Sequence, residues 1–274
     1  MRAWNRVLER HFEAQPAYRI EDGLFLGSMR IVRGLPIDTR VSIVYRACDG
    51  PHQRRALNRC RIPARATFFE LLLSALRPAD QPGAPALMTG EDLESDVTVV
   101  LNCGVDSVNH HMIEELVSQA LREDCGLVGG TIVGSDGNVV TAGLVCRNDG
   151  TYLNPFEGLP LSDPGYMGQA RVVRAVASLG PQLFAFRTSR LSTDLNGLAC
   201  LSEDTLSEVC ETLVRATHLT GRKVLHTPYA IVTQRQTMKP YHPRQGEMAP
   251  PTLRLNPNLE QFSSVGNILK TGIA

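Results

Sequence analysis

The stretch from Val97 to Val145 constrains this chain more than any other. An apolar run rich in β-branched residues, Val97–Cys103, enters a short polar turn, Asn102-Cys103-Gly104-Val105-Asp106. Beyond it, Met112, Ile113, Leu116, Val117, Ala120 and Leu121 recur at helical spacing, with Glu114, Glu115, Ser118 and Gln119 on the opposite side. This predicts an amphipathic helix with an apolar face turned inward, ended by Gly126. Leu127–Val133 reads as the next strand, and Asp136-Gly137 as a two-residue turn into Val139–Cys146. Strand, helix, strand and hairpin in this order predict an α/β fold with a mixed, mainly parallel sheet covered on both faces.

The flanks extend that reading. Trp4–Glu13 has the spacing of a short helix, Gly23–Val32 that of an extended hairpin-like segment, and Val41–Ala47 that of a buried strand before the turn Cys48-Asp49-Gly50-Pro51. His52–Cys60 suits a brief helix. Thr67–Leu76 is too short for its period to separate strand from helix, and Arg77–Gly90 has the composition of a loop. Ala175–Phe186 is apolar but interrupted at Gly180-Pro181. Glu203–Thr217 is helical, with Leu206, Val209, Leu213 and Ala216 on one side and Gly221 ending it, and Lys223–Val232 returns as a strand. The expected organisation is a lead-in over residues 1–40, one domain over 41–238, and an extended tail over 239–274.

Composition narrows the function. Twenty-eight basic residues balance 28 acidic ones, which argues against a nucleic-acid binder driven by phosphate neutralisation. The local run Arg54, Arg55, Arg59, Arg61 and Arg65 suits a solvated face. Seven scattered cysteines without a C-x-x-C pair predict reduced, mostly buried thiols rather than disulfides or a zinc site. The N-terminal residues carry charges inside every apolar run, unlike a signal peptide, and no window approaches ~20 uninterrupted apolar residues. A soluble, cytoplasmic protein is expected, with peripheral association to an inner membrane left open.

With those segments in order, the chain resembles a family 2 glycosyltransferase of the GT-A fold, similar to the transferase modules of bacterial O-antigen and surface-polysaccharide assembly proteins. Six segments carry the resemblance: Val41–Gly50, Leu127-Val128-Gly129-Gly130 with Asp136-Gly137 and Thr141-Ala142-Gly143, Asp163–Gly168, Thr227–Ala230, Asn256–Leu259, and the turn after Val97–Leu101. The resemblance implies a nucleoside-diphosphate sugar, Mg²⁺ or Mn²⁺, and a glycan acceptor. It assigns Asp49 and Asp106 to the nucleotide and diphosphate side, Asp106 to the metal, and Glu208 or Glu211 to the catalytic base.

Asp49 persists before Gly50, but the other positions depart from the family's pattern. The metal turn normally carries two acids one residue apart, and the first is here Gly104. A divalent cation wants several oxygen ligands, so Asp106 alone supplies few. Its other reading is a cap on the helix beginning near Asn109. Glu208 and Glu211 also suit an exposed helix face. Gln234 stands where the family often has a metal-binding histidine, and His226 reads as a packed or hydrogen-bonded residue. Arg171 or Arg174 could stand in for a metal on the diphosphate. The expectation is a transferase-like protein with lost or altered sugar transfer; the alternative is a non-catalytic scaffold or partner of an active transferase or a glycan.

Overall fold

The computed structural model describes residues 18–47, 65–72, 95–101, 105–147, 149–190 and 203–234. The expectations for Trp4–Glu13, the turn at 48–51, His52–Cys60, Arg77–Gly90 and the 239–274 tail lie outside the described residues, as does Gly104.

Strands β1 (Tyr18–Asp22) and β2 (Met29–Arg33) form an antiparallel hairpin. The hairpin expected at Gly23–Val32 is therefore present, but Gly23–Ser28 is its turn, closed by the Gly23 amide donating to the Ser28 carbonyl at 2.9 Å. The central sheet uses β3 (Arg40–Ala47), β4 (Arg65–Leu72), β5 (Val97–Leu101), β6 (Val105–Val108), β7 (Cys125–Val133) and β8 (Val139–Thr141). It is completed by β11 (Arg174–Ala175), β12 (Leu183–Arg187) and β13 (Lys223–Gln234). Two short strands, β9 (Val145–Cys146) and β10 (Tyr152–Leu153), pair outside it. The described part of the ambiguous 67–76 run, up to Leu72, is strand, in register with β3 from Arg40↔Arg65 to Ala47↔Leu72.

Across the sheet the order is β11-β13-β7-β12-β5-β3-β4, with β6 on β13 and β8 on β7. The expectation of a mainly parallel sheet needs correcting. Along this path β13–β7, β5–β3 and β3–β4 are parallel, while β11–β13, β7–β12 and β12–β5 are antiparallel. Apolar periodicity records which face a side chain takes, not the direction its strand runs, so β12 could not be oriented from its residues.

Both faces are covered, and the period-two alternation shows how. Val41, Ile43, Val97, Val99, Leu101, Val128, Leu183 and Ala185 face helix α1 (Met112–Ala120) in one core. Their neighbours Val44, Val100, Leu127, Phe184 and Phe186 join the other core, beneath helix α2 (Glu203–Leu219). In α2 the buried residues are Val209, Cys210, Leu213, Val214 and Thr217. Gly126 does not end α1, which stops five residues earlier at Leu121. It lies inside β7, where an added Cβ would come within 2.2–2.8 Å of the Thr217 side chain on α2. It is a packing residue that lets α2 press onto the sheet.

The faces of α1 also need correction. Glu115, Ser118 and Gln119, expected outside, are buried, because hairpin β1–β2 and β13 cover that side. The described cysteines Cys125, Cys146 and Cys210 are free and buried. Burial pushes the Cys125 thiol up to about 12 and the Cys210 thiol up as well, so both stay protonated at neutral pH.

Candidate functional site

Strand β3 has β4 on one side and β5 on the other, all three parallel. The chain leaves β3 to build β4, then returns to build β5 on the opposite side. This is a topological switch point, and open α/β sheets bind ligands beyond the carboxyl ends of the strands at such points. Strands β7 and β13 end on the same edge, since β12 runs against both β5 and β7, and β13 runs with β7.

Asp49 follows the last residue of β3 by two positions and lies outside the described residues. Residues 102–104 follow β5 directly and lie outside them too. Asp106 is described as backbone within β6, whose pairing with β13 sets Val105 opposite Gln234 and Ser107 opposite Thr233. The structure thus places the backbone of Asp106 one residue along β6 from the Val105↔Gln234 pair. It removes the capping alternative: α1 starts at Met112 with His111 at its N-cap position, and Asp106 sits in the strand before it. Gln234 is buried.

Glu208 and Glu211 are carried by a different layer, on α2. Glu208 is exposed and Glu211 half-buried. The charge of Glu211 adds to burial in pushing the Tyr152 phenol up to about 12, which sets this glutamate toward the β9–β10 arm. Arg174 is turned inward: Nη2 donates to the Ala142 carbonyl at 2.6 Å and its guanidinium lies 4.9 Å from the Phe156 ring centroid. Burial lowers its pKa to about 10. It pairs across β11–β13 with His226, on the far side of the sheet from β3 and β5. His226 is fully buried and shares a hydrogen bond of 3.0 Å with Thr131, as a packed histidine should.

The feature that sequence reasoning missed is an irregularity in β13. Between the pairs His226↔Gly129 and Ile231↔Thr131, β13 spends four residues where β7 spends one. The bulged residues Thr227–Ala230 include Pro228, which has no amide to give a ladder. Gly130 makes the bulge possible, because a Cβ there would meet the Ala230 carbonyl oxygen at 2.3 Å. The bulge also flips the strand's phase, so that Leu225 and then Ala230 and Val232 all face the same core.

A buried polar cluster holds the bulge in place. Asn109 donates from Nδ2 to the Tyr229 carbonyl at 2.7 Å and accepts the Ile231 amide on Oδ1 at 2.8 Å. Glu115 accepts from Thr227 Oγ1 at 2.7 Å and from Gln119 Nε2 at 3.0 Å, and it pairs with Arg30 of β2. The Arg30 guanidinium also lies 4.0 Å from the Tyr229 ring centroid. A proline inside an apolar strand pattern was the one sequence signal for this bulge.

Among the described residues, no three His, Cys, Asp or Glu side chains gather as ligands for a metal ion. Opposite Val105, one residue before Asp106, β13 carries the neutral amide of Gln234. One carboxylate and one amide do not fit a hard divalent cation, which takes several oxygen ligands. No helix among the described residues is long and apolar enough to cross a membrane.

The fold and site define an α/β protein with a mixed sheet and a ligand-type carboxyl edge. No family model matches the chain, and no curated protein matches it. Among solved structures it is similar to GalNAc-T7, crystallised with UDP, GalNAc and Mn²⁺, at 10% identity and a TM-score of 0.47. The match covers 74% of this chain and 45% of that one, so this chain spans less than half the length of that neighbour.

Proposed function

We propose that the chain is a GT-A-like member of the family 2 glycosyltransferases that takes a nucleoside-diphosphate sugar at the carboxyl edge of its sheet, in surface-polysaccharide biosynthesis, with sugar transfer lost or altered. The observation that carries this is the switch point. The strands before Asp49 and before the 102–104 turn are β3 and β5, direct neighbours with parallel carboxyl ends. The strands that lead into two segments read separately from the sequence as nucleotide-side are therefore neighbours.

Altered chemistry is supported by the donor set. With glycine at position 104 and an amide at Gln234, Asp106 keeps a contact to the diphosphate or sugar but does not by itself hold Mg²⁺ or Mn²⁺. Glu208 or Glu211 would act as base toward an acceptor hydroxyl, and each stands on α2 rather than at the β6 edge. That separation favours the second reading, a non-catalytic subunit in the cytoplasm that binds an active transferase or a glycan while keeping the fold.

Thermal unfolding with a panel of nucleoside-diphosphate sugars, with and without Mn²⁺, tests the proposal, because a ligand bound to the folded state raises the melting temperature by mass action. A sugar-nucleotide shift that does not require Mn²⁺ is expected, and Gly104→Asp should make it metal-dependent. No shift with any donor, in either protein, removes the nucleotide-sugar reading.

A further inference from the structure

Six of the eight large apolar side chains that stand exposed among the described residues belong to two touching segments. Leu24, Leu26, Met29 and Ile31 lie on the β1–β2 hairpin, and Tyr166 and Met167 lie on the 3₁₀ segment Tyr166–Arg171. The segments meet where the Phe25 ring covers Gly168 so closely that a Cβ there would come within 2.8 Å of it. Leu26 is completely exposed, and Met167 is 78% exposed. On β2 the alternation is reversed from what solubility would select. Arg30 points inward to Glu115, while Met29 and Ile31 point out.

Met167 adds a second, independent observation. It is the one non-glycine residue with positive φ among those described, at 51°. L-residues avoid this region, and the fold holds Met167 there with its side chain in solvent. Strain kept at an exposed apolar residue points to a role for its position.

We infer that this surface binds a second copy of the chain. The six side chains approach the ~800 Å² per partner that a standard interface buries, well beyond scattered apolar residues. Charge decides between occupants. The exposed charges beside this surface on the hairpin are Arg19 and Asp22, one of each sign. An anionic bilayer selects a cationic rim. A rim with both signs is complementary to itself across a twofold axis. The inference does not depend on the nucleotide-sugar proposal, because it uses none of Asp49, Asp106, Glu208 or Glu211.

Sedimentation velocity of the full chain over a concentration series tests it, with circular dichroism to show that each variant is folded. A reversible dimer is expected. Leu26→Asp should weaken it by at least ~10-fold in Kd, as a charge placed at the centre of an apolar contact does. Met167→Gly should also weaken it without lowering the melting temperature, because glycine accepts positive φ. A chain that is monomeric at every concentration overturns the inference, and so does a dimer indifferent to Leu26→Asp. A monomer that instead pellets with phosphatidylglycerol vesicles, and loses this in Leu26→Asp, assigns the surface to lipid and overturns it too.

Discussion

Replacing Arg30 with alanine should detach the hairpin from the domain at a measurable cost. Arg30 is the cation paired with Glu115, whose residue is 4% exposed. Without it, the carboxylate keeps only the neutral donors Thr227 and Gln119. Removing one partner of a buried pair costs about 3–5 kcal/mol. The Arg30 side chain is 17% exposed, so water reaches part of the pair and the low end, about 3 kcal/mol, applies. Loss of the contact with the Tyr229 ring adds about 0.5–1 kcal/mol. For a chain of this size the total, about 3.5–4 kcal/mol, corresponds to a fall of roughly 7–16 °C in Tm.

The assay is urea and thermal unfolding by circular dichroism in a double-mutant cycle with Glu115→Gln. In the Glu115→Gln background, which has no carboxylate left to strand, Arg30→Ala should cost only about 1 kcal/mol, giving a coupling of roughly 2.5–3 kcal/mol. Equal costs in the two backgrounds, within ~0.5 kcal/mol, would refute the claim that charge fastens the hairpin to α1 and β13.

Three further outcomes follow from the same packing. Burial and the nearby Arg174 hold the His226 imidazole well below its ordinary pKa, so the folded state keeps it neutral while the unfolded chain takes up a proton below about 6.5. Its contribution is intact above that pH and is lost as pH falls below it, at up to ~1.4 kcal/mol per pH unit. His226→Asn should flatten the acid limb of a stability–pH curve. Gly126→Ala should cost about 1–3 kcal/mol in urea unfolding by forcing α2 off β7, with Thr217→Gly restoring part of the loss. Gly130→Ala meets backbone rather than a flexible side chain, so it should cost at least as much and raise amide exchange at Asn109 and Ile231, with no comparable rescue.

Much of the fold was legible in the residues because burial writes itself into periodicity. The strands at 41–47, 97–101, 127–133 and 223–232 and the helices near 112–120 and 203–217 all appear, within a few positions at their ends. Their two-sided burial follows from near-continuous apolar runs. The misassignments share a cause. Glu115, Ser118 and Gln119 are polar, and a polar residue reads as exposed until a distant element supplies its hydrogen bonds. Gly126 reads as a helix stop because the same residue serves a turn and a close contact. Of the candidate site, the structure shows only that β6, which carries Asp106, pairs with the end of β13 at Gln234. The roles proposed for Glu208 and Glu211 rest on the resemblance and on nothing in their own spacing.

The residues alone carry the order of the main strands and helices and the two-sided burial, since each is a matter of which residues occur and how they are spaced. Only the tertiary structure decided strand direction at β12, the neighbouring of β3 and β5, the bulge at Thr227–Ala230 and the inward turn of Arg30 and Glu115. Those depend on which distant segments meet. A local pattern cannot encode that choice, because the energy of a pairing belongs to both partners at once.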